Sequence, residues 1–155
     1  MIAEQVAEVL ESAGVEFEAL AHRRTETAGE EARSLGIAPD AVAKTVVLGT
    51  PEGHVRAVLL ASERLDLRKV RTVLGLTAKE VSLLGEEELA QHYPEFELGA
   101  VPPFGGRADR VLVDRRVVDH ERVVLEAGTH DTSLRLRTSD LLNLTGAQVL
   151  DLCQD

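Results

Sequence analysis

The sequence predicts a single α+β domain over residues 1–155. Helical patterns cluster in the first half, strands follow one another in hairpin-like succession after residue 96, and no strand–helix–strand repeat runs through the chain. The length suits one domain with a sizeable core.

The elements follow in order. Ile2, Val6, Val9 and Leu10 fall on one helical face across residues 2–13, and Gly14 ends the pattern. Val15, Phe17 and Ala19 alternate with Glu16 and Glu18, which predicts a strand over 15–20. Thr27-Ala28-Gly29-Glu30 has capping-box spacing and opens a helix to Leu35, closed by Gly36. Val42–Leu48 reads as a buried strand, Gly49–Gly53 as a five-residue turn, and His54–Ala61 as the returning strand of a hairpin. Asp66 caps a helix through Leu74 with Gly75 as its stop. Residues 78–84 fit either regular structure, and Glu86–His92 reads as a short acidic helix stopped by Pro94. Strands are expected at Arg110–Val113, Val117–Val118, Arg122–Glu126 and Ser133–Arg137. A short helix follows at Asp140–Leu144, and then an apolar tail with Leu150 and Leu152 that packs back.

Composition excludes several function classes. Seventeen basic against 27 acidic residues give a net charge of −10. That opposes broad binding to nucleic-acid backbones, which depends on Lys and Arg neutralising phosphates. DNA is not an expected partner, and any RNA contact should be local. Aromatics make up 3% with no Trp, so stacking of several bases is not the main binding mode. The lone cysteine, Cys153, can build neither a disulfide framework nor a Cys-based zinc site. No segment reaches the length of a membrane span, and a cytoplasmic location is expected.

The most distinctive stretch is Gly99-Ala100-Val101-Pro102-Pro103-Phe104-Gly105. Two adjacent prolines fix φ, flanking glycines tolerate sharp bends, and neither proline can donate to a sheet ladder. This makes either an ordinary turn with Phe104 as a core plug, or a stiff loop that holds backbone groups against a small ligand at little entropic cost. Lys44, in the apolar run Val42-Ala43-Lys44-Thr45-Val46-Val47-Leu48, is costly to bury. It either sits at an exposed strand start or anchors a phosphate or carboxylate. His130, in the polar connection Gly128-Thr129-His130-Asp131, is either a surface histidine or a hydrogen-bonding or proton-transfer group at a cleft rim.

Other candidates have plainer readings. His22, His54, His92 and His120 are scattered and form no metal-ligand pair at helical spacing. Asp109, Asp114 and Asp119 fit a solvated acidic edge. Arg64, Arg68, Lys69 and Arg71 fit a solvated helix face, with a tRNA-facing patch as the lesser alternative. No Walker loop, Gly-x-Gly-x-x-Gly or Gly-x-Ser-x-Gly occurs.

Taken together, three anchors resemble the YbaK-like family of aminoacyl-tRNA deacylases, related to the editing domain inserted in bacterial prolyl-tRNA synthetases. They are Thr27–Ile37 leading into the Lys44-Thr45 strand, the Gly-x-x-x-Pro loop from Gly99 to Pro103, and Gly128-Thr129-His130 leading into Ser133–Leu136 and Asp140–Leu142. The resemblance covers nearly the whole chain. It implies a mixed, mainly antiparallel curved sheet, barrel-like, with flanking helices. It also implies hydrolysis of the ester between a wrong amino acid and the tRNA 3′ end, with cysteine or alanine on prolyl-tRNA as the expected targets. By position, Lys44 would hold the terminal adenosine region, and Gly99, Ala100, Val101, Pro102, Pro103, Phe104 and Gly105 would wall the aminoacyl group. Thr45, Gly128, Thr129 and His130 would complete the substrate site. Some family members carry histidine at the position of His130 and others do not, and Pro102, directly before Pro103 inside the loop, bears on the shape of the pocket. No metal or cofactor is implied. The expected partners are mischarged tRNA and, as an option, an aminoacyl-tRNA synthetase. The alternative is a non-catalytic tRNA-end or synthetase-binding module.

Overall fold

The computed structural model describes residues 1–155. Its strands form two sheets. Strands β1 (Phe17–Ala21), β7 (Thr132–Arg137) and β6 (Arg122–Glu126) make an antiparallel sheet in the order β1-β7-β6. The second sheet is mixed, in the order β4-β2-β3-β5-β8, from β2 (Ala43–Thr50), β3 (Gly53–Leu60), β4 (Ser82–Leu83), β5 (Arg110–Asp114) and β8 (Gln148–Leu150). β3 pairs with β5 and β5 with β8 in parallel, and the remaining pairings are antiparallel. One parallel bridge, Val42 to Val124, ties the sheets together. The expected α+β class and the mainly antiparallel pairing hold. The sheets do not close into a barrel: they remain two open layers with the largest core between them.

Helices cover the remaining apolar faces. α1 (Glu4–Ala13) inserts Val6 and Leu10 into the main core, and α5 (Thr138–Thr145) adds Leu141. α3 (Leu67–Leu74) covers the opposite face of the mixed sheet, where Leu48, Val55, Ala57 and Leu112 meet Val70 and Leu152. α2 (Ala28–Leu35) packs Ala28 and Ala32 over Val42 and Val124 at the bridge. The expected caps form: the Thr27 and Asp66 side chains accept from Glu30 N–H at 3.1 Å and Arg68 N–H at 2.9 Å. α4 (Glu86–His92) is the acidic helix.

Three expectations change. The β2–β3 turn is Pro51-Glu52 rather than five residues, because Thr50 already pairs with Gly53, and the Thr50 hydroxyl donates to Gly53 O at 2.7 Å. Val117-Val118 is not a strand. Buried Asp114 accepts from Arg116 N–H at 3.0 Å and starts a 3-10 turn over Arg115–Asp119, in which Val117 plugs the core and Val118 stays exposed. The C-terminal tail packs back as expected and also gains order. β8 joins β5, and Cys153 bridges Leu65.

Candidate functional site

In β2, successive side chains point to opposite faces. Val47, directly opposite Arg56 in β3, faces the main core, as do Ala43 and Val58. Thr45 shares that face, while Lys44 shares the other with Val46 and Leu48. Thr45 lines a mostly apolar cavity of about 220 Å³ with Val46, Val47, Leu84, Leu89, Gly99 and Val101. Strand β2 and the start of the Gly-Pro loop therefore meet at one site. Lys44 does not line this cavity.

The edge of β2 beside the cavity is open. Val47 O accepts from Leu84 N–H at 3.1 Å on the β4 side, and Val42 O accepts from Ala61 N–H at 2.7 Å on the β3 side. Alternation then turns the Thr45 N–H and C=O away from β3, in the gap between the Val42–Val124 bridge and the Leu48–Leu83 pair. A ligand crossing this edge meets the Thr45 backbone, with the Thr45 side chain on one face and Lys44 on the other.

Lys44 is half-buried, and its nearest charged or titratable neighbours are Cys153, Arg64 and Glu63. Burial pulls its pKa below the ordinary lysine range, and the Arg64 guanidinium adds to the shift. Glu63 is committed to Arg116 at 3.0 Å, which leaves the Lys44 ammonium without a carboxylate partner. A partly desolvated, unpaired ammonium is suited to an anion.

The Gly-Pro loop is held rigidly by a residue that sequence reasoning missed. Arg56 is 1% exposed. Its guanidinium donates to Pro102 O at 2.9 Å, Gly105 O at 2.8 Å and Arg107 O at 3.0 Å, and its Nε pairs with Asp109 at 3.0 Å. The Tyr93 hydroxyl donates to the same carboxylate at 2.5 Å. Burial, then the bond to Asp109, raises the Tyr93 pKa and keeps it a donor. The signal was present: Arg56 interrupts an apolar strand just as Lys44 does. Of the loop residues, Gly99 and Val101 face the cavity, and Ala100 and Pro102 are buried. Phe104 plugs the main core, and Pro103 to Gly105 line a separate hollow of about 390 Å³ near α1.

His130 ties the third anchor to the second. Its Nε2–H donates to Leu98 O at 2.5 Å, and its backbone N–H donates to Glu97 at 3.1 Å. Glu97 N–H in turn donates to Gly128 O at 2.9 Å. Gly99 has φ +84°, and a Cβ there would lie 3.5 Å from the His130 ring. His130 is therefore a buried brace for the loop. Gly128 packs against Ala3 and Phe96, and the Thr129 hydroxyl donates to Met1 O at 2.7 Å. Beside this brace, Glu31 accepts a hydrogen bond from Ser133, which also pairs with His22 Nε2 at 2.9 Å. One oxygen each of Glu31 and Glu126 has no partner. No three His, Cys, Asp or Glu side chains converge as a metal site requires. No helix is long and apolar enough to cross a membrane.

Solved structures give this arrangement a context. A protein assigned as a trans-editing enzyme for prolyl tRNA synthetase is 28% identical, with TM-score 0.85 over 99% of this chain and 97% of that one. A chain from a study grafting epitopes onto scaffold proteins is 27% identical, with TM-score 0.84 over the same shares. The hypothetical protein APE2540, 24% identical with TM-score 0.88 over 97% and 100%, shares the fold. No curated relative matches. Residues 22–144 match the aminoacyl-tRNA editing domain, so the chain belongs to the aminoacyl-tRNA editing domain family, in keeping with the YbaK-like resemblance.

Proposed function

We propose that this protein is a trans-editing deacylase that hydrolyses the ester of mischarged tRNA, with cysteinyl- or alanyl-tRNA(Pro) as substrate. The observation that carries this reading is the small apolar cavity between Thr45 and the braced Gly99–Val101 segment, within a chain of the editing family. Likeness to a protein assigned to trans-editing for prolyl tRNA synthetase supports the choice of tRNA.

In this reading the 3′ end crosses the open edge of β2. The aminoacyl side chain enters the cavity against Gly99 and Val101. The free Thr45 N–H is in place to bond the ester carbonyl oxygen, where negative charge grows as water attacks. Lys44, on the far face of the same edge, holds the terminal adenosine's phosphate by charge and does not act as a nucleophile. Water oxygen bonds to the acyl carbon, the acyl–ribose oxygen bond breaks, and the proton passes to the released ribose oxygen. A ribose hydroxyl of the substrate assists this transfer. Arg56 and His130 act through the loop. An apolar cavity separates substrates differing by one methylene by about 1–3 kcal/mol, so selection for size is modest.

The net charge of −10 favours a second reading, a non-catalytic module for the tRNA end or a synthetase. Deacylation of a panel of mischarged tRNAs separates the two. An enzyme accelerates ester loss above the spontaneous rate, and a binding module slows it.

A further inference from the structure

The end of the three-stranded sheet away from His130 carries a hollow of about 450 Å³ that the proposed reaction does not use. Glu16, Phe17, Glu18, Arg122, Arg135 and Arg137 line it. The register places Arg122 directly opposite Arg137, and Arg135 opposite Glu18. Like charges facing each other across a strand pair destabilise a sheet. Glu18 offsets this only in part. It is shared between Arg122 at 3.5 Å and Arg135 at 3.7 Å, both long for a charge-assisted bond, and half-exposed to solvent. Neither pair includes Arg137. A chain of net charge −10 thus gathers three guanidinium groups against two carboxylates, Glu16 and Glu18, at one concave site.

Guanidinium groups suit phosphate oxygens in geometry and hydration. At about 3.3 Å per residue of extended strand, Arg135 and Arg137 lie roughly 16–23 Å along the chain from His130. About five to seven stacked nucleotides, at about 3.4 Å each, span that distance. We propose that this hollow binds the sugar-phosphate backbone of the tRNA acceptor arm while the 3′ end occupies the β2 edge. The proposal rests on the reading of the substrate as aminoacyl-tRNA.

The test compares the wild type with Arg122→Ser/Arg137→Ser, on full-length aminoacyl-tRNA and on aminoacyl-adenosine. The expected result is a loss of about tenfold or more in kcat/KM on tRNA, with a shallower dependence on salt and unchanged hydrolysis of aminoacyl-adenosine. The double variant should keep or gain thermal stability, because it removes a like-charge pair. Wild-type kcat/KM and salt slope on tRNA, or equal loss on both substrates, would overturn the proposal. If the wild type hydrolyses neither substrate, the deacylase reading fails by itself. Binding of uncharged tRNA by anisotropy then decides the hollow: weaker, less salt-sensitive binding by the variant supports it, and equal binding overturns it.

Discussion

Arg56 and Asp109 form an ion pair at 3.0 Å with side chains only 1% and 2% exposed, and the same guanidinium holds two carbonyls of the Gly-Pro loop, Pro102 and Gly105, and that of Arg107 just beyond it. Neither side chain lines the cavity beside Thr45, so the pair acts on the loop from outside it.

Without Arg56, Asp109 keeps Arg107 at 3.0 Å and the Tyr93 hydroxyl, but the Pro102, Gly105 and Arg107 carbonyls lose their charged donor. Arg56→Met should therefore cost about 2–4 kcal/mol of stability. The measurement is urea unfolding, read as a midpoint shift at constant slope. A loss below about 1 kcal/mol would mean that the loop does not depend on this anchor.

Gly128 has φ +90°, and a Cβ there would lie 2.6 Å from Ala3 Cβ and 2.8 Å from the Phe96 ring. Gly128→Ala should destabilise by about 1–3 kcal/mol through strain and forced repacking. Gly14→Ala meets nothing within 4 Å and bears only the strain of φ +65°, so thermal unfolding should rank it as the milder change.

Burial pushes the Glu126 carboxyl up to about 9, and the charges of Glu31 and Glu26 add to it. The folded protein keeps this proton across a range where the unfolded chain, with an ordinary carboxyl near about 4.3, has released it. Its stabilising contribution is complete below that value and is lost as pH rises towards 9. Glu126→Gln keeps the neutral shape and stops the titration. The variant's melting temperature relative to wild type should therefore rise between pH 5 and pH 8. A constant difference across that range would contradict the assignment.

Most of the fold was legible because helix ends are written locally. Thr27, Asp66, Gly14, Gly36 and Gly75 cap or stop helices where their chemistry says they should. What escaped was long-range. Nothing in Val117-Val118 reveals that Asp114 will fold it into a turn, and Gln148–Leu150 becomes a strand only because β5 offers an edge. At the site, two of the three anchors announced themselves through costly or unusual residue types, Lys44 and the doubled proline. That Glu97 and His130 would stitch two of them together depends on side-chain bonds spanning about thirty residues. The facing of Lys44 followed from strand alternation only once the register with β3 was known.

His130 donates from Nε2 to Leu98 O and so braces the loop. His130→Asn can still donate to that carbonyl, whereas His130→Ala cannot. The alanine variant should lose activity about tenfold more than the asparagine variant, with little change in the pH–rate profile of either. A lost acidic limb in both variants would make His130 a proton-transfer group instead.

The most direct measurement is the rate of amino acid release from alanyl- and cysteinyl-tRNA(Pro) by the wild type and by Lys44→Ala. Circular dichroism and melting temperature confirm that both are folded. An editing deacylase that positions its substrate through Lys44 predicts release well above the spontaneous rate by the wild type, and a loss of about a hundredfold or more in the variant. Full activity in Lys44→Ala, or no acceleration by the folded wild type, would contradict it.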